Sequence, residues 1–292
     1  MIPHKKISGG LVGLLLILSI GCRPPPLSTL TPNEARQKLL KILKEEYQVN
    51  HIVTRDVGRT VWIYLPIEKP LFDIGANPAG KTPPSEKPTK GFSLQFVKAG
   101  LEEKNFTVQY DIAETNKYSK DPGYTTTYTE DAQKLQNGLL TAVYRSYGEA
   151  PDAPDFFNIV LADIGKGIEM RLLFYFPDLK KVMSPSQDIP QEEFILRYIT
   201  DFSGDKEIIG DKAGRHLSFK ETTWPEFLSR QVENRINFKY GRSSFPPGDE
   251  AQKEVLSAVS ETLRVYDFQD FESVMLVDLV TEETKQIDKN NL

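Results

Sequence analysis

The hydrophobic positions of this chain follow two patterns that alternate, one with the spacing of a helix and one with that of a strand. The first helical pattern starts at Thr31, Pro32 and Glu34, which together are typical of a helix cap. Segments rich in Val, Ile and aromatic residues lie between the helical ones. We predict helices over residues 32–47, 132–147 and 188–202, further helices starting at Thr223 and Asp249, and strands over residues 52–56, 59–65, 92–97, 106–112, 157–161, 168–176, 216–220 and 273–279. This order predicts an α+β fold with mainly antiparallel sheet.

One short sequence recurs in the chain. Residues 52–59 (IVTRDVGR) align without gaps on residues 159–166 (IVLADIGK), and each copy follows an amphipathic helix. A third, partial copy covers residues 274–279 (VMLVDL). We interpret the recurrence as repeated helix–β-hairpin units, because one such unit cannot bury its apolar face alone. The alternative is a chance likeness between segments that share a helix–strand–turn pattern.

The composition changes between residues 66 and 90. Six prolines in this segment exclude regular structure and predict a long loop. Its lysines, Lys69, Lys81, Lys87 and Lys90, make the loop a candidate contact element, and a connector without a role is the alternative. We divide the chain into residues 1–21, residues 22–30, a first helix–hairpin region (31–128) that contains the loop, and a second α+β region (129–292).

The amino terminus carries a short apolar run behind two positive charges. Lys5 and Lys6 precede 14 apolar or small residues, which is fewer than the roughly 20 that a membrane-spanning helix needs. This order is typical of an export signal. The run closes with Gly21 and Cys22, and this ending resembles the lipobox of bacterial lipoproteins.

The resemblance implies that residues 1–21 are removed and that Cys22 carries the lipid. In that family a diacylglycerol is attached to the cysteine thiol, and the new amino terminus is usually acylated, for example with palmitate. Prolines 24–26 then form a stiff spacer between lipid and domain. Arg23 does not resemble the inner-membrane retention signal, so the periplasmic face of the outer membrane is favoured in a cell that has one. The alternative is an ordinary export signal with an incidental cysteine.

Charge and cysteine content exclude some classes of protein. Removal of residues 1–21 takes away two lysines and no acidic residue, so the net charge changes from −5 to −7. A nucleic-acid-binding protein would carry a clustered positive face, and we therefore predict no nucleic-acid partner. Cys22 is the single cysteine, so no internal disulfide can form and stability must come from packing.

Residues 75–82 (GANPAGKT) match the pattern of a phosphate-binding loop. Such a loop needs a buried strand before it and a helix amino terminus after it, so that backbone N–H groups converge on the phosphates. Pro83 and Pro84 follow at once and remove two of these donors. We therefore predict that the match is a coincidence, and that the protein binds no nucleotide and no other cofactor.

Histidine and serine chemistry have little support in the sequence. His51 and His216 are predicted in separate strands, and neither has a second ligand at metal-binding spacing. His216 alternates with Leu217 and Phe219, which predicts a solvent-facing strand residue. No Gly-x-Ser-x-Gly motif is present. We assign no catalytic and no metal-binding residue.

Carboxylates are abundant, but their positions favour structural roles. Asp56, Asp163 and Asp278 end the repeated strand and are predicted to form turns. The pairs 102–103, 192–193 and 282–283 are predicted to be solvated surface charges or first-turn helix charges. Residues 124–128 (YTTTY) are predicted to be loop, with an edge strand or a sugar-stacking surface as alternatives.

Together these features predict a lipid-anchored envelope protein that acts by binding or assembly, held to the membrane through its lipid and with an envelope protein as its possible partner. The alternative is a carboxylate-dependent hydrolase of envelope glycan or peptidoglycan. A deep cleft lined by two acids with raised pKa values would favour the hydrolase, and an open sheet edge would favour binding.

Overall fold

The computed structural model describes residues 30–76, 90–116, 124–240 and 249–292. Its helices are α1 (Pro32–Glu45), α2 (Glu130–Tyr147), α3 (Phe176–Met183), α4 (Gln191–Arg197), α5 (Trp224–Tyr240) and α6 (Asp249–Val265). Its strands are β1 (Val53–Val57), β2 (Thr60–Ile67), β3 (Phe72–Ala76), β4 (Lys90–Glu102), β5 (Asn105–Asn116), β6 (Tyr124–Tyr128), β7 (Phe156–Asp163), β8 (Ile168–Tyr175), β9 (Ile199–Gly204), β10 (Ser273–Asp278) and β11 (Thr284–Asp288). The predicted α+β class is confirmed.

These strands form two large sheets and one small one. The first sheet has the order β1-β2-β7-β8-β9, and the second has the order β11-β10-β5-β4. Strands β3 and β6 form a separate antiparallel pair. Neighbouring strands are antiparallel throughout, except that β2 is parallel to β7 and β5 is parallel to β10. The prediction of mainly antiparallel sheet is therefore confirmed.

Each large sheet contains two β-hairpins that lie side by side, with their inner strands parallel. The inner strands start level with each other in both sheets, because Thr60 pairs with Phe156 and Asn105 pairs with Ser273. Along the chain the hairpins alternate between the sheets: β1–β2 and β7–β8 build the first, and β4–β5 and β10–β11 build the second. Residues 31–128 and residues 129–292 thus each supply one hairpin to each sheet.

Backbone hydrogen bonds at the ends of the hairpins also agree between the two sheets. At the start of the inner strands, Asp155 N–H donates to the Arg59 carbonyl at 2.9 Å, and Glu272 N–H donates to the Lys104 carbonyl at 2.7 Å. Both carbonyls belong to the residue just before an inner strand. At the opposite end, the residues after Asp163 and Asp278 donate in the same way to β2 and β5.

Helices α1, α2 and α3 cover one face of the first sheet. Alternate residues of β2, such as Ile63, and of β7, such as Ile159, pack there against Leu39 of α1 and Leu139 of α2. The opposite face is covered by an irregular segment, residues 205–223, which we call the strap. Trp62 and Tyr64 point to that side and donate hydrogen bonds to strap carbonyls at 2.7 and 2.8 Å. The first sheet is therefore buried on both faces.

Helices α5 and α6 cover one face of the second sheet. Phe106 and Val108 of β5 and Val274 of β10 are fully buried against Val232 of α5 and Val255 of α6. Helix α5 also covers the outer strand β4, where the Glu233 carboxylate accepts a hydrogen bond from Ala99 N–H at 2.8 Å. A smaller cluster around Phe156, Trp224 and Tyr266 joins the two cores.

Two of the predicted elements are wrong. The predicted helix over residues 188–202 is α4 followed by β9, because Tyr198 is already extended and Ile199 pairs with Leu173 of β8. Residues 216–220 are not a strand. Leu217 and Phe219 alternate because this part of the strap buries one side against Trp62 and Tyr64, without any backbone pairing to the sheet.

The predicted loop over residues 66–90 is wrong at both ends. Strand β2 continues through Pro66, beyond the point where its pairing with β1 ends at Tyr64, so the missing N–H of proline is tolerated there. Strand β3 pairs with β6, so residues 124–128 are a strand and not loop. Lys90 already belongs to β4, and residues 77–89 lie outside the described part of the chain.

Candidate functional site

One surface cleft lies where α1 ends and α2 begins. This α1–α2 cleft has a volume of about 530 Å³. Tyr47, Val49, Ile67, Leu71 and Leu135 form its apolar part, and its polar lining consists of Glu46, Gln48, Asn50, His51, Glu68, Lys69, Asp131 and Lys134. The cleft therefore has a mixed lining, in which several charges are already paired within the fold, as Glu46 is with Arg145 and Glu68 with Lys212.

A second cleft lies between α6 and the end of the chain. This α6 cleft has a volume of about 440 Å³. Its apolar part is formed by Leu263, Phe268 and Phe271, and Lys289 lies over the Phe271 ring with its Nζ 4.9 Å from the ring centre. Arg264 and Asp267 carry opposite charges at its rim. Most of its remaining lining is polar, so the cleft has a mixed character: Ser257, Ser260, Glu261 and Gln269.

The predicted turn aspartates have structural roles. Asp163 accepts hydrogen bonds from the backbone N–H groups of Lys166 and Leu71, both at 2.9 Å, and thereby joins the β7–β8 turn to the start of β3. Asp278 accepts from Val280 N–H at 2.9 Å in the β10–β11 turn. Asp56 differs, because its carboxylate pairs with Arg36 of α1 at 2.8 Å. The turn prediction is confirmed for Asp163 and Asp278.

The remaining sequence candidates fall partly outside the described residues. Cys22, the predicted lipid site, and residues 77–82 of the phosphate-loop match are among the residues that the structure does not describe. Residues 75 and 76 end strand β3. His51 is exposed before β1, and it is one of the residues that line the α1–α2 cleft.

His216 is not the predicted solvent-facing strand residue. It lies in the strap, and its ring makes a 2.9 Å hydrogen bond with the buried carboxylate of Glu169 in β8. The same carboxylate accepts from Arg171 at 2.9 Å and from Ser203 at 3.1 Å. Tyr64 contacts the imidazole edge to face. No sequence pattern predicts this pair, because its members are 47 positions apart and only one lies in a regular strand.

The Glu169 cluster is suited to holding the strap on the sheet. A Ser–His–carboxylate triad needs the histidine between the serine and the acid, so that it can take the serine proton. Here Glu169 lies between Ser203 and His216, and each of them bonds to the carboxylate instead of to the other. This arrangement does not activate the serine hydroxyl.

A buried charge network connects the helices of the two sheets. Arg197 of α4 donates to Asp178 of α3 at 3.0 Å and to Glu193 at 2.8 Å, and Tyr266 donates to Asp178 at 3.0 Å. Glu193 also pairs with Arg235 of α5 at 3.1 Å. Burial raises the pKa of the Asp178 carboxyl, although Arg197 and Tyr266 oppose the shift.

A second carboxyl with a raised pKa lies elsewhere. Burial raises the pKa of Glu233, against the effect of the hydrogen bond from Ala99 N–H. Asp178 and Glu233 sit on different helices, and neither lines the α1–α2 cleft or the α6 cleft. The raised pKa values are therefore consequences of packing between helices, and they do not identify an acid pair that faces a substrate.

Tyr64 links stability to pH. Burial raises the pKa of its phenol to about 12, and nearby Glu169 and Asp211 add to the shift. Because an unfolded phenol ionises near pH 10, roughly, the folded state holds this proton more tightly. The contribution of Tyr64 to stability is therefore complete below pH 10 and is lost as the pH rises through 12.

Replacing Tyr64 by phenylalanine should make unfolding less sensitive to alkaline pH. At pH 8 the variant should lose about 1 kcal/mol, the typical value of the hydrogen bond that Tyr64 donates to the Asp211 carbonyl. Between pH 10 and 12 its deficit against the wild type should fall to zero and then reverse, because a change of up to about 1.4 kcal/mol per pH unit exceeds the deficit at pH 8. Urea unfolding at pH 8, 10 and 11 measures both. A deficit that stays constant over this range would contradict the assignment.

The described ranges contain no group of three or more His, Cys, Asp or Glu side chains placed to hold a metal ion. Across the same ranges, no helix combines the length and the apolar character that crossing a bilayer requires. No family model, curated protein or solved structure matches the chain.

Proposed function

We propose that this protein is a lipid-anchored component of the bacterial cell envelope that acts by binding a partner protein rather than by catalysis. The observation that carries this proposal is the use of the buried carboxylates Asp163, Glu169 and Asp178. Each of them holds separate parts of the fold together, and none lines either cleft. A hydrolase of envelope glycan would need two carboxyl groups that face one substrate, one of them an acid with a raised pKa. Glu46 and Glu68 line the α1–α2 cleft, but their ion pairs with Arg145 and Lys212 lower the pKa of both carboxyls.

The proposed anchor supports a binding role. A lipid on Cys22 would hold the domain at the periplasmic face of the outer membrane, in a cell that has one, and a tether raises the local concentration of a weak binder near its partner. Residues 22–30 can reach about 30 Å when extended. The start of α1 and the β1–β2 turn, which Arg36 and Asp56 join, would then lie within that distance of the membrane.

We also infer that the domain is built from repeated helix–hairpin units. Helices α1, α2 and α6 each precede a hairpin, in agreement with the three copies of the sequence pattern. The matching backbone hydrogen bonds relate the two sheets to each other, and so do the side chains: Arg59 pairs with Asp155, and Lys104 approaches Glu272 at the corresponding place. They support a repeat of the paired hairpins, although β4–β5 follows strand β3 and not a helix among the described elements. Repeated units build extended binding surfaces more readily than single deep pockets.

Replacing Cys22 by serine should abolish lipid attachment. A serine hydroxyl cannot form the thioether, so the variant should take up no labelled palmitate and should leave the membrane fraction of cells grown with the label. A Ser28→Ala variant is the matched control, because it changes the spacer and keeps the cysteine. Palmitate labelling of Cys22→Ser at the level of the control would contradict the anchor.

The binding role is tested separately from the anchor. Incubation of the purified protein with peptidoglycan fragments should give no turnover. Turnover that disappears on replacing a single carboxylate would overturn the proposal in favour of the hydrolase.

A further inference from the structure

We propose that the outer edge of β11 binds an extended segment of the partner protein as an added antiparallel strand. This inference rests on the proposed binding function and names the surface that performs it. Strand β11 is the last strand on its side of the second sheet among the described residues. The strand is exposed along its length, apart from partly buried Ile287. An uncovered edge of this kind presents unpaired N–H and C=O groups to another chain.

The hydrogen-bond pattern shows which backbone groups face outward. Asp278 N–H donates to the Glu283 carbonyl, and Lys289 N–H donates to the Glu272 carbonyl, both at 2.9 Å. In an antiparallel pair every second residue bonds to the neighbouring strand. The odd-numbered positions from 283 to 289 therefore face β10, and Thr284, Gln286 and Asp288 direct their N–H and C=O groups away from it. These three residues form the ladder that a partner strand can join.

The first sheet shows what occupies the corresponding edge. Strand β8 holds the same place there as β11 does in the second sheet, since each is the outer strand of the second hairpin. Strand β9 pairs with β8 in antiparallel register, from Leu173 with Ile199 to Ile168 with Gly204. The chain thus fills one of two equivalent edges with an extended segment of its own. By the same geometry, the other edge accepts an extended segment from outside.

The other outer strands of the two large sheets are less suited to this role. Helix α5 covers the edge of β4, where Glu233 caps Ala99 N–H. The same helix lies beside β9, and its Arg230 pairs with Asp201 of that strand. Strand β1 is the outer strand of the first hairpin in the first sheet, as β4 is in the second sheet. A helix covers the edge of β4, so the comparison between the sheets does not predict an added strand at β1.

The α6 cleft extends the binding surface at the end of β11. Gln252 of α6 accepts a hydrogen bond from Lys285 of β11 at 3.2 Å, so this flank of the helix faces the strand. Ser260 and Leu263, two and three turns further along the same flank, line the cleft together with Lys289, which follows β11. A strand paired to β11 would reach the cleft at one end. The partner segment should therefore carry a side chain there that has both apolar and polar parts, to match the mixed lining of the cleft.

The test uses the full-length protein in detergent micelles and a phage-displayed library of random linear peptides of 12 residues. Selected peptides should slow hydrogen exchange at the amides of Thr284, Gln286 and Asp288. Gln286→Pro removes one outward N–H and leaves the backbone bonds to β10 intact, so it should weaken peptide binding at least tenfold. Gln286→Ala, which keeps the N–H, is the matched control and should bind within about twofold of wild type. The side-chain bond from Gln286 to Ser273 of β10 is lost in the proline variant and in the alanine control alike.

Three results would overturn the inference. One is a selection that yields no binding peptide, and another is protection that appears at β1 or β9 instead of β11. The third is protection of β11 that rises with protein concentration in the absence of peptide, which would identify a second copy of this chain as the occupant. Exchange is measured on the wild type, so the result stands even where the proline variant does not fold. The exchange measurement also does not depend on Cys22. A failed prediction about the lipid anchor can therefore be distinguished from a failed prediction about the β11 edge.

Discussion

Replacing Arg197 by methionine should lower the free energy of unfolding by about 3–5 kcal/mol, the usual effect of removing one partner from a buried ion pair. The guanidinium is 11% exposed, and it bonds to Asp178 and Glu193 at 3.0 and 2.8 Å. Methionine fills a similar volume but leaves the Asp178 carboxylate, 3% exposed, without its cation. The Asp178 carboxylate would then keep its hydrogen bond from Tyr266.

Arg215 offers a matched control for this experiment. It forms an ion pair with Asp211 at 2.9 Å, but its side chain is 84% exposed. Arg215→Met should therefore cost much less stability than Arg197→Met, because solvent screens an exposed ion pair. Urea unfolding of both variants at pH 7 gives the comparison. Equal losses in the two variants would show that burial does not set the strength of the Asp178–Arg197 pair.

The pH dependence of the Arg197 variant gives an independent check. Burial already raises the pKa of Asp178, and the loss of Arg197 should raise it further. A carboxyl with a raised pKa in the folded state binds its proton more tightly there, so lowering the pH favours the folded form. The deficit of Arg197→Met should therefore be smaller at pH 5 than at pH 8. A larger deficit at pH 5 would contradict the buried-charge explanation.

Replacing Gly167 by alanine should cost about 3 kcal/mol, because left-handed backbone strain and overpacking act together. Gly167 has a φ of +67°, and an added Cβ would lie 2.4 Å from the Cα of Lys206. The backbone cannot move away easily. Gly167 N–H donates to the Asp163 carbonyl, and its own carbonyl accepts from Asp205 N–H, both at 2.9 Å. The substitution therefore loosens the start of the strap as well as the β7–β8 turn.

Gly100 is the control for Gly167. It lies in β4, has no positive φ, and an added Cβ there would meet no atom within 4 Å. Gly100→Ala should change stability by no more than about 0.5 kcal/mol. Thermal unfolding of both variants tests the contrast, and a similar loss at the two positions would mean that the close approach of Lys206 is not rigid.

Local signals predicted the helix starts well. The Thr31 prediction is confirmed: Glu34 N–H donates to the Thr31 hydroxyl at 3.3 Å, and Thr31 N–H donates to the Glu34 carboxylate at 2.8 Å. The start of α5 is also confirmed, since Glu226 N–H donates to the Thr223 hydroxyl at 3.4 Å. Both motifs depend on residues within one turn of each other, and a sequence reader sees them directly.

Predictions failed where burial came from distant parts of the chain. Residues 188–202 have helical spacing, but the pairing of Ile199 with Leu173 ends the helix early. Leu217 and Phe219 have strand spacing because one side of the strap packs against a face of the first sheet. The strap covers this face without pairing to a strand. The β11 edge and the α6 cleft could not be predicted either. Their existence depends on which hairpins meet, and strand spacing alone does not encode that choice.

The alternation of hairpins between the two sheets also constrains how the chain can reach its native state. Asn105 and Ser273, which start the parallel pair β5 and β10, are 168 positions apart. Neither sheet is complete until strands from both halves of the chain have met, so neither half can finish its own core first. Contacts of such long separation make folding slow, and unpaired strands stay exposed meanwhile. A newly synthesised copy of this protein would therefore expose its unfinished sheets to other chains for a time.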